Sequence, residues 1–324
     1  MNYARYLKEL GRGAEGSRDL ATEEARQLYG AMLDGGVPDL ELGAIVVALR
    51  VKGERLDEML GFMAAVRERT HRLRAPHGRP RPVVLPSYNG ARKGANLTPL
   101  LALLLKRFGV PVLVHGLLEG YGRVTSGQVF RELGILPGTT LGQAQDALEE
   151  GGLAFVPLPI LAPGLADLLA LRARLGLRNS AHSLVKMLDP FPGNGVLMAT
   201  ATHPAFIDLM RDMLTVDGTR SLLFRGTEGE PFANPKRRPR LEYIHDGQCD
   251  TLFEAEHDSL QSLPHLPEGA DVHATAEWTR QVLEGHLPLP LPIGNQLACS
   301  LYACGHAEDL NQAKAIVAVE GGCR

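Results

Sequence analysis

The chain has 324 residues, 44% of them hydrophobic, and a formal net charge of −3. This length suits two globular domains, and the mildly acidic balance by itself argues against a nucleic-acid-binding protein. It contains no apolar run near about 18 residues and no charged-then-apolar signal at Met1, so we expect a soluble, cytoplasmic protein without a membrane segment.

The first 75 residues predict a helical unit. Apolar residues recur near helical spacing in four segments: 3–10, 22–33, 39–51 and 56–73. Helices with such short connections are typical of a bundle or a dimerisation surface. The proline-rich, basic joint APHGRPRP follows, so we predict a helical domain over 1–75 and an α/β domain over 76–324.

Residues 83–135 predict strand, loop and helix, twice over. The runs 83–85 and 110–114 are apolar throughout, as are parallel strands that are covered on both faces. Thr98 followed by Pro99 predicts a helix start, with the threonine side chain capping the free amides. This order of elements indicates a parallel strand–helix–strand unit.

Two loops of this unit follow the carboxyl ends of its strands, at 86–97 and 115–126. Both are polar and contain glycine, and both lead into helix N-termini, which favour anions. In a parallel sheet such loops gather at one edge, where ligands bind. We therefore expect any chemistry of the chain to lie there.

The rest of the chain continues the alternation. We predict helices at 140–150, 161–175, 204–214 and 271–284, strands at 153–157, 195–202 and 221–225, and a last helix within 294–319, where there is also room for a last strand. Strands that alternate with helices indicate an α/β domain with a mostly parallel central sheet.

The four cysteines, Cys249, Cys299, Cys304 and Cys323, form no closely paired framework. Cys299 and Cys304 lie near His306, but their spacing matches no standard zinc pattern. We interpret all four as buried or surface thiols.

Charge is sorted along the chain. Segment 67–81 has six arginines against one acid, and the segment PKRRPR at 235–240 has four cations in six residues. Between 242 and 284 the balance reverses, with ten acids against Arg280 alone. Sorted charge of this kind predicts a basic face despite the acidic total.

Several motifs resemble the anthranilate phosphoribosyltransferase family. The most similar parts are VPVLVHG at 110–116, RELG at 131–134 and LGLR at 175–178. That family joins a small N-terminal helical domain to a large α/β domain of the nucleoside phosphorylase type. The resemblance covers nearly the whole chain and implies this fold.

The chain departs from the family at its phosphate loop. The family's Gly-Thr-Gly-Gly-Asp-Gly loop wraps the pyrophosphate of phosphoribosyl pyrophosphate, because small residues let backbone amides approach phosphates. The matching segment 86–91 reads PSYNGA, with a single glycine and a bulky tyrosine. We interpret the following residues as a vestigial phosphate and substrate loop: Ser87, Tyr88, Asn89, Gly90, Asn96, Thr98, Gly116, Thr125 and Ser126.

Four other residues are candidates for a role in transferase chemistry. His115 is a candidate acid or base, Arg178 matches a substrate-binding arginine, and Glu228 and Glu230 lie near the family's metal pair. Magnesium is expected only if phosphoribosyl pyrophosphate is bound, and no other cofactor is implied. The alternatives are a hydrogen-bonded structural histidine and a solvated turn at 228–230.

Cations accompany the altered loops. With VTSGQVFRELGI and RGTEGEP, they resemble the YbiB-type branch of the family, whose members are homodimers that bind nucleic acid with little sequence preference. The resemblance and the charge pattern give these candidate nucleic-acid-binding residues: Lys236, Arg237, Arg238, Arg240, Arg92, Lys93, Arg123, Arg178, Arg79 and Arg81.

Our first hypothesis is therefore a homodimeric protein that binds nucleic acid, single-stranded or without specificity, on a transferase fold. Tyr88 and Tyr121 are candidates for base stacking. The alternative is an active phosphoribosyl or other pentosyl transferase, or a nucleoside phosphorylase, acting on an unknown acceptor. The fold, His115, Arg178 and Lys186 favour that alternative.

Overall fold

The computed structural model describes residues 1–13, 16–257 and 265–320, so Cys323 lies outside the described residues. The chain forms two compact units, Met1–His71 with Leu158–Leu188, and Arg72–Pro157 with Asp189–Arg324. The first unit is helical, and the second contains the sheet.

The helices, in chain order, are α1 (Tyr3–Leu10), α2 (Thr22–Leu33), α3 (Asp39–Lys52), α4 (Leu56–Glu68), α5 (Thr98–Arg107), α6 (Ser126–Glu132), α7 (Leu141–Gly151), α8 (Leu158–Leu161), α9 (Pro163–Leu175), α10 (Ala181–Leu184), α11 (Pro204–Asp217), α12 (Val272–Leu283), α13 (Leu291–Ala303) and α14 (Leu310–Glu320). The strands are β1 (Val83–Ser87), β2 (Val112–Gly116), β3 (Leu153–Pro157), β4 (Val196–Ala201), β5 (Ser221–Arg225), β6 (Leu241–His245) and β7 (Gln248–Phe253).

In the helical unit, α2 packs closely against both α4 and α9. A Cβ atom on Gly61 would lie 2.2 Å from the carbonyl oxygen of Thr22, and one on Gly164 would lie 2.1 Å from that of Leu33. Small residues at these two points allow the backbones to approach. Because α9 packs on α2, Leu158–Leu188 belongs to the same compact unit as the N-terminal helices. The sequence had predicted a single domain boundary near residue 75.

A buried ion pair fixes the ends of α3 and α4 in the same unit. The Lys52 Nζ lies 2.6 Å from the Glu58 carboxylate, and the two side chains are 3% and 0% exposed. Glu58 also accepts hydrogen bonds from the backbone amides of Leu20 and Arg55. The carboxylate therefore has the partners that a buried charge requires.

The second unit is built on a seven-stranded sheet of order β3-β2-β1-β4-β5-β6-β7. The first five strands of that order are parallel, and β6 and β7 are antiparallel additions. Strands β1 to β4 are buried along their whole length, as their continuous apolar sequences predicted. The predicted fold class, a small helical domain and a large α/β domain with a mostly parallel sheet, is confirmed.

The hairpin of β6 and β7 was not predicted from the sequence. Its turn is Asp246-Gly247, with φ of 49° and 73°. Positive φ at both central residues is typical of a type I′ turn, for which Asp-Gly is a preferred pair. Alternating apolar residues before this dipeptide were the missed signal. The last strand considered within 294–319 is wrong, because α13 and α14 occupy the region.

Cys249 is exposed, whereas Cys299 and Cys304 are buried, which raises the pKa of Cys299 to about 12 and that of Cys304 to about 11. Within the described ranges, no group of three His, Cys, Asp or Glu residues is placed to hold a metal ion. None of the helices that the structure describes is both long and apolar enough to cross a membrane.

We expect Lys52→Met to lower the free energy of unfolding by about 3 kcal/mol, because the substitution leaves the Glu58 carboxylate buried without its counter-charge. Urea unfolding followed by circular dichroism measures the change. Arg5→Met is the matched control, since Arg5 is 66% exposed in its pair with Glu9, and exposed pairs contribute little. Equal losses in the two variants would contradict the prediction.

Candidate functional site

The loops that follow β1 and β2 meet at the carboxyl edge of the sheet. Ala91 and Val124 join them by a pair of backbone hydrogen bonds of 2.9 and 2.8 Å. The Asn96 side-chain amide also donates to the Val124 carbonyl oxygen at 3.2 Å. Gly90 has a φ of 70°, and a Cβ there would lie 3.0 Å from the same oxygen. The two loops predicted to gather at one edge therefore form a single layer.

A tight turn after β5 packs onto this layer. Thr227 and Glu230 pair across it, and the two residues between them, Glu228 and Gly229, have φ of 54° and 89°. Positive φ is uncommon for a residue other than glycine and indicates a constraint on the backbone at Glu228. The turn directs both glutamate side chains towards the loop after β1.

Glu230 is 0% exposed, and its carboxylate lies inside the loop after β1. It accepts hydrogen bonds from the backbone amides of Asn89 at 2.9 Å and Gly90 at 2.7 Å. The side chains that also donate to it are Ser87, Asn96 and Thr98. Burial raises the pKa of Glu230, and the donors from Ser87, Gly90 and Asn89 oppose that rise.

Glu228 accepts hydrogen bonds from the next residues of the same loop. Its carboxylate accepts from the backbone amides of Arg92 at 3.1 Å and Lys93 at 2.8 Å, and the Arg123 guanidinium lies 3.6 Å away. The backbone carbonyl of Glu228 accepts from the Asn89 side chain. The interpretation of 228–230 as a solvated turn is therefore wrong, most clearly for the fully buried Glu230.

These contacts do not fit a metal pair. A divalent cation needs several oxygen ligands that converge on one point. The two carboxylates instead face separate pairs of backbone N–H groups, at residues 89–90 and 92–93. The part of the chain that the structure describes supplies no third acidic, histidine or cysteine ligand.

Other residues of the vestigial loop have structural roles. Thr98 does not cap α5 as predicted, because its hydroxyl donates to Glu230. Thr125 caps α6 by accepting from the Gln128 amide, and Ser126 Oγ lies 2.6 Å from Ser87 Oγ. At the carboxyl edge of the sheet, these polar side chains therefore form hydrogen bonds with other groups of the chain.

The two tyrosines considered for base stacking differ in exposure. Tyr88 is 4% exposed, so its ring is not available to a base. Tyr121 is 64% exposed and has a φ of 49°, which leaves it as the remaining candidate. The bulky side chain in the altered loop is therefore a packing residue.

An open cleft of about 1080 Å³ lies beside these loops, outside the carboxyl ends of β1, β4 and β5. Seven cations line it against four carboxylates; the cations are Lys93, Arg211, Arg225, Lys236, Arg237, Arg238 and Arg240. Crevices at this edge of parallel sheets are common ligand sites, since β1 and β4 mark the point where the strand order reverses.

The cations of PKRRPR are not equivalent. Arg238 forms an ion pair with Glu256 at 3.2 Å and lies over the ring of Phe253 at 4.7 Å. Arg240 lies 3.4 Å from Glu242 and 3.9 Å from Glu254. The acidic segment thus supplies partners for Arg238 and Arg240 of the basic loop.

Four other cations of the cleft have exposed side chains. Among the described residues, Lys93, Arg225 and Lys236 form no ion pair, and Arg237 is also exposed. Arg225 was missed by sequence reasoning, although a cation that ends a buried strand is a usable signal. Arg92 is exposed too, whereas Arg123 is committed to Glu228 and to the Gly90 carbonyl oxygen.

Four other predicted residues are not among those that line the cleft. Arg79 and Arg81 precede β1, at the edge of the sheet opposite the cleft, and five strand residues span about 17 Å. Arg178 is exposed and belongs to the helical unit. His115 is 0% exposed within β2, where its backbone is in register with Pro86 and Val156 of the neighbouring strands.

Comparison with known proteins gives relatives along the whole chain. Residues 4–70 match the glycosyl transferase family, helical bundle domain. The chain is 44% identical to the protein YbiB of Escherichia coli (strain K12), over 98% of this chain and 99% of that protein. It is 28% identical to the anthranilate phosphoribosyltransferase of Methylobacterium nodulans, over 98% and 94% of the two chains. The crystal structure of anthranilate phosphoribosyltransferase from Thermus thermophilus matches with a TM-score of 0.75 at 25% identity, over 97% of this chain and 93% of that one.

We expect Gly116→Ala to destabilise the edge of the sheet by about 1–3 kcal/mol. A Cβ at Gly116 would lie 1.8 Å from the Ser87 carbonyl oxygen, so β1 and the loop after it must shift. Thermal unfolding measures the loss. Gly94→Ala is the control, because no atom lies within 4 Å of a Cβ there, and a Gly116→Ala protein as stable as this control would refute the close contact.

Proposed function

We propose that this chain, which belongs to the anthranilate phosphoribosyltransferase-like family, is a nucleic-acid-binding protein with little sequence preference. The binding surface in this proposal is the basic cleft, meaning the cleft lined by Lys93, Arg225 and residues 236–240. The proposal includes a cytoplasmic location, a homodimeric state and binding without a metal or other cofactor.

The observation that carries the proposal is the exposed positive charge of the basic cleft. Lys93 lies in the loop after β1, Arg225 ends β5, and Lys236 and Arg237 lie between β5 and β6, and all four line one open surface. Arginine guanidinium groups bind phosphate through paired hydrogen bonds, and lysine supplies a point charge. Contacts of this kind follow a phosphate backbone and do not read bases, so they support binding without sequence preference.

The alternative is an active phosphoribosyltransferase, which the relatives named anthranilate phosphoribosyltransferase favour. That activity requires phosphoribosyl pyrophosphate to bind with magnesium. Against it, the loop amides that would face a pyrophosphate are bonded to Glu228 and Glu230. Heat released on titration of phosphoribosyl pyrophosphate at millimolar magnesium would favour the transferase over a dedicated nucleic-acid binder.

The exposed face of α3 supports the homodimer. Leu40 and Val51 are 82% and 62% exposed, and Val47 lies between them at 37%. Together with the small residues Gly43 and Ala48 they line an apolar depression of about 800 Å³. A second copy of the chain would cover this face in an isologous contact, in which the same apolar residues are buried on both copies.

We expect the double variant Lys236→Glu and Arg237→Glu to weaken binding of a fluorescent single-stranded oligonucleotide by at least about tenfold at low salt. Anisotropy titrations on several sequences, from low salt to roughly 0.3 M, measure the affinity. The loss is expected on all sequences alike, and each lost phosphate contact reduces the log–log salt slope by about 0.7.

Arg79→Glu combined with Arg81→Glu is the matched control, because it makes the same change of net charge at the opposite edge of the sheet. We expect its affinity to stay close to that of the unmodified protein. Unchanged binding by the Lys236→Glu and Arg237→Glu variant, or an equal loss of affinity in the control, would reject the basic cleft as the binding surface.

We expect Val47→Glu to dissociate the dimer, since it places a charge in an apolar contact twice. Sedimentation velocity reports the mass of the species. Val216→Glu, at a residue of α11 that is 64% exposed, is the control and should leave the mass unchanged. A monomeric unmodified protein would contradict the proposed homodimer.

A further inference from the structure

We infer that the carboxylates of Glu228 and Glu230 form a resident internal anion, which occupies the phosphate-binding amides of residues 89–93 and excludes phosphate esters from this loop. Four backbone N–H groups of the loop are involved. Those of Asn89 and Gly90 donate to Glu230, and those of Arg92 and Lys93 donate to Glu228. Successive backbone amides of this kind form a concave site for an anion.

The chain maintains this contact at a cost in stability. A buried carboxylate loses its hydration, and here three side chains and two backbone amides replace the lost water. The turn that carries the carboxylates requires a positive φ at Glu228, a conformation that is unfavourable for a residue other than glycine. Two independent costs at one turn indicate that the contact is specified and is not incidental.

The internal anion leaves no place for a pyrophosphate in the same loop. An incoming phosphate would have to displace two carboxylates from their donors while it approached charges of its own sign. Glu230 cannot turn away into solvent, because it is 0% exposed and is held by Ser87, Asn96 and Thr98. The loop keeps a phosphate-binding backbone, but its ligand is part of the chain.

This inference goes beyond the proposed function, because it concerns the loop and not the cations of the basic cleft. It assigns a latent site for inorganic pyrophosphate and related phosphates to residues 89–93, which opens when the carboxylates are removed. The two surfaces are distinguishable by experiment, since the loop binds through backbone amides and the basic cleft through side chains.

The experiment compares the full chain with its Glu230→Ala and Glu228→Ala variants. Transverse-relaxation-optimised spectra follow hydrogen exchange at the amides of Asn89, Gly90 and Lys93, with and without inorganic pyrophosphate. In the unmodified protein we expect protected amides and no effect of pyrophosphate. In the variants we expect exchange to accelerate by at least about tenfold at the freed amides and to slow again when pyrophosphate binds.

Glu119→Ala is the matched control, because Glu119 is an exposed glutamate of the neighbouring loop, and its spectra should match those of the unmodified protein. Glu228→Ala keeps the test valid if Glu230→Ala does not fold, since the Glu228 side chain is at the surface and 17% exposed. Folded variants whose loop amides ignore pyrophosphate would overturn the inference. Slower hydrogen exchange at the same amides when pyrophosphate is added to the unmodified protein would overturn it as well.

Discussion

The burial of the Glu230 carboxylate is the interaction on which the carboxyl edge of the sheet depends. Two backbone amides and three side chains donate to it, and they come from β1, the loop after it and the first turn of α5. An unsatisfied buried charge is too costly to persist, so each of these donors must hold its position. The tight turn after β5 and the altered loop are therefore parts of one hydrogen-bonded unit.

The fold places acidic side chains next to the basic loop. The β6–β7 hairpin returns the acidic segment to the basic loop, where Glu256 pairs with Arg238, and Glu242 and Glu254 lie near Arg240. The positive charge of the basic cleft is therefore carried by fewer side chains than the sequence suggests, and these are its exposed cations. The basic segment before β1 lies at the other edge of the sheet and cannot add to that surface.

The molecule illustrates how a fold is retained while a site changes. The sheet order and the crevice at its reversal point are those of a ligand-binding α/β protein. At that crevice, carboxylates of the chain meet the backbone amides, and exposed cations line the space beside them. Function follows from this local chemistry and not from the architecture alone.

The sequence by itself determined the local elements and the fold class. Strands β3 and β5 and helix α1 begin and end as predicted, because short apolar runs and helical periodicity depend on neighbours along the chain. The β6–β7 hairpin carried a local signal in Asp246-Gly247 that was overlooked. Only the tertiary structure decided that Thr98 donates to Glu230, that Tyr88 is buried and that Arg238 pairs with Glu256. Thr98 and Glu230 lie 132 positions apart in the sequence and Arg238 and Glu256 lie 18 apart, and no local pattern encodes which distant groups the folded chain brings into contact.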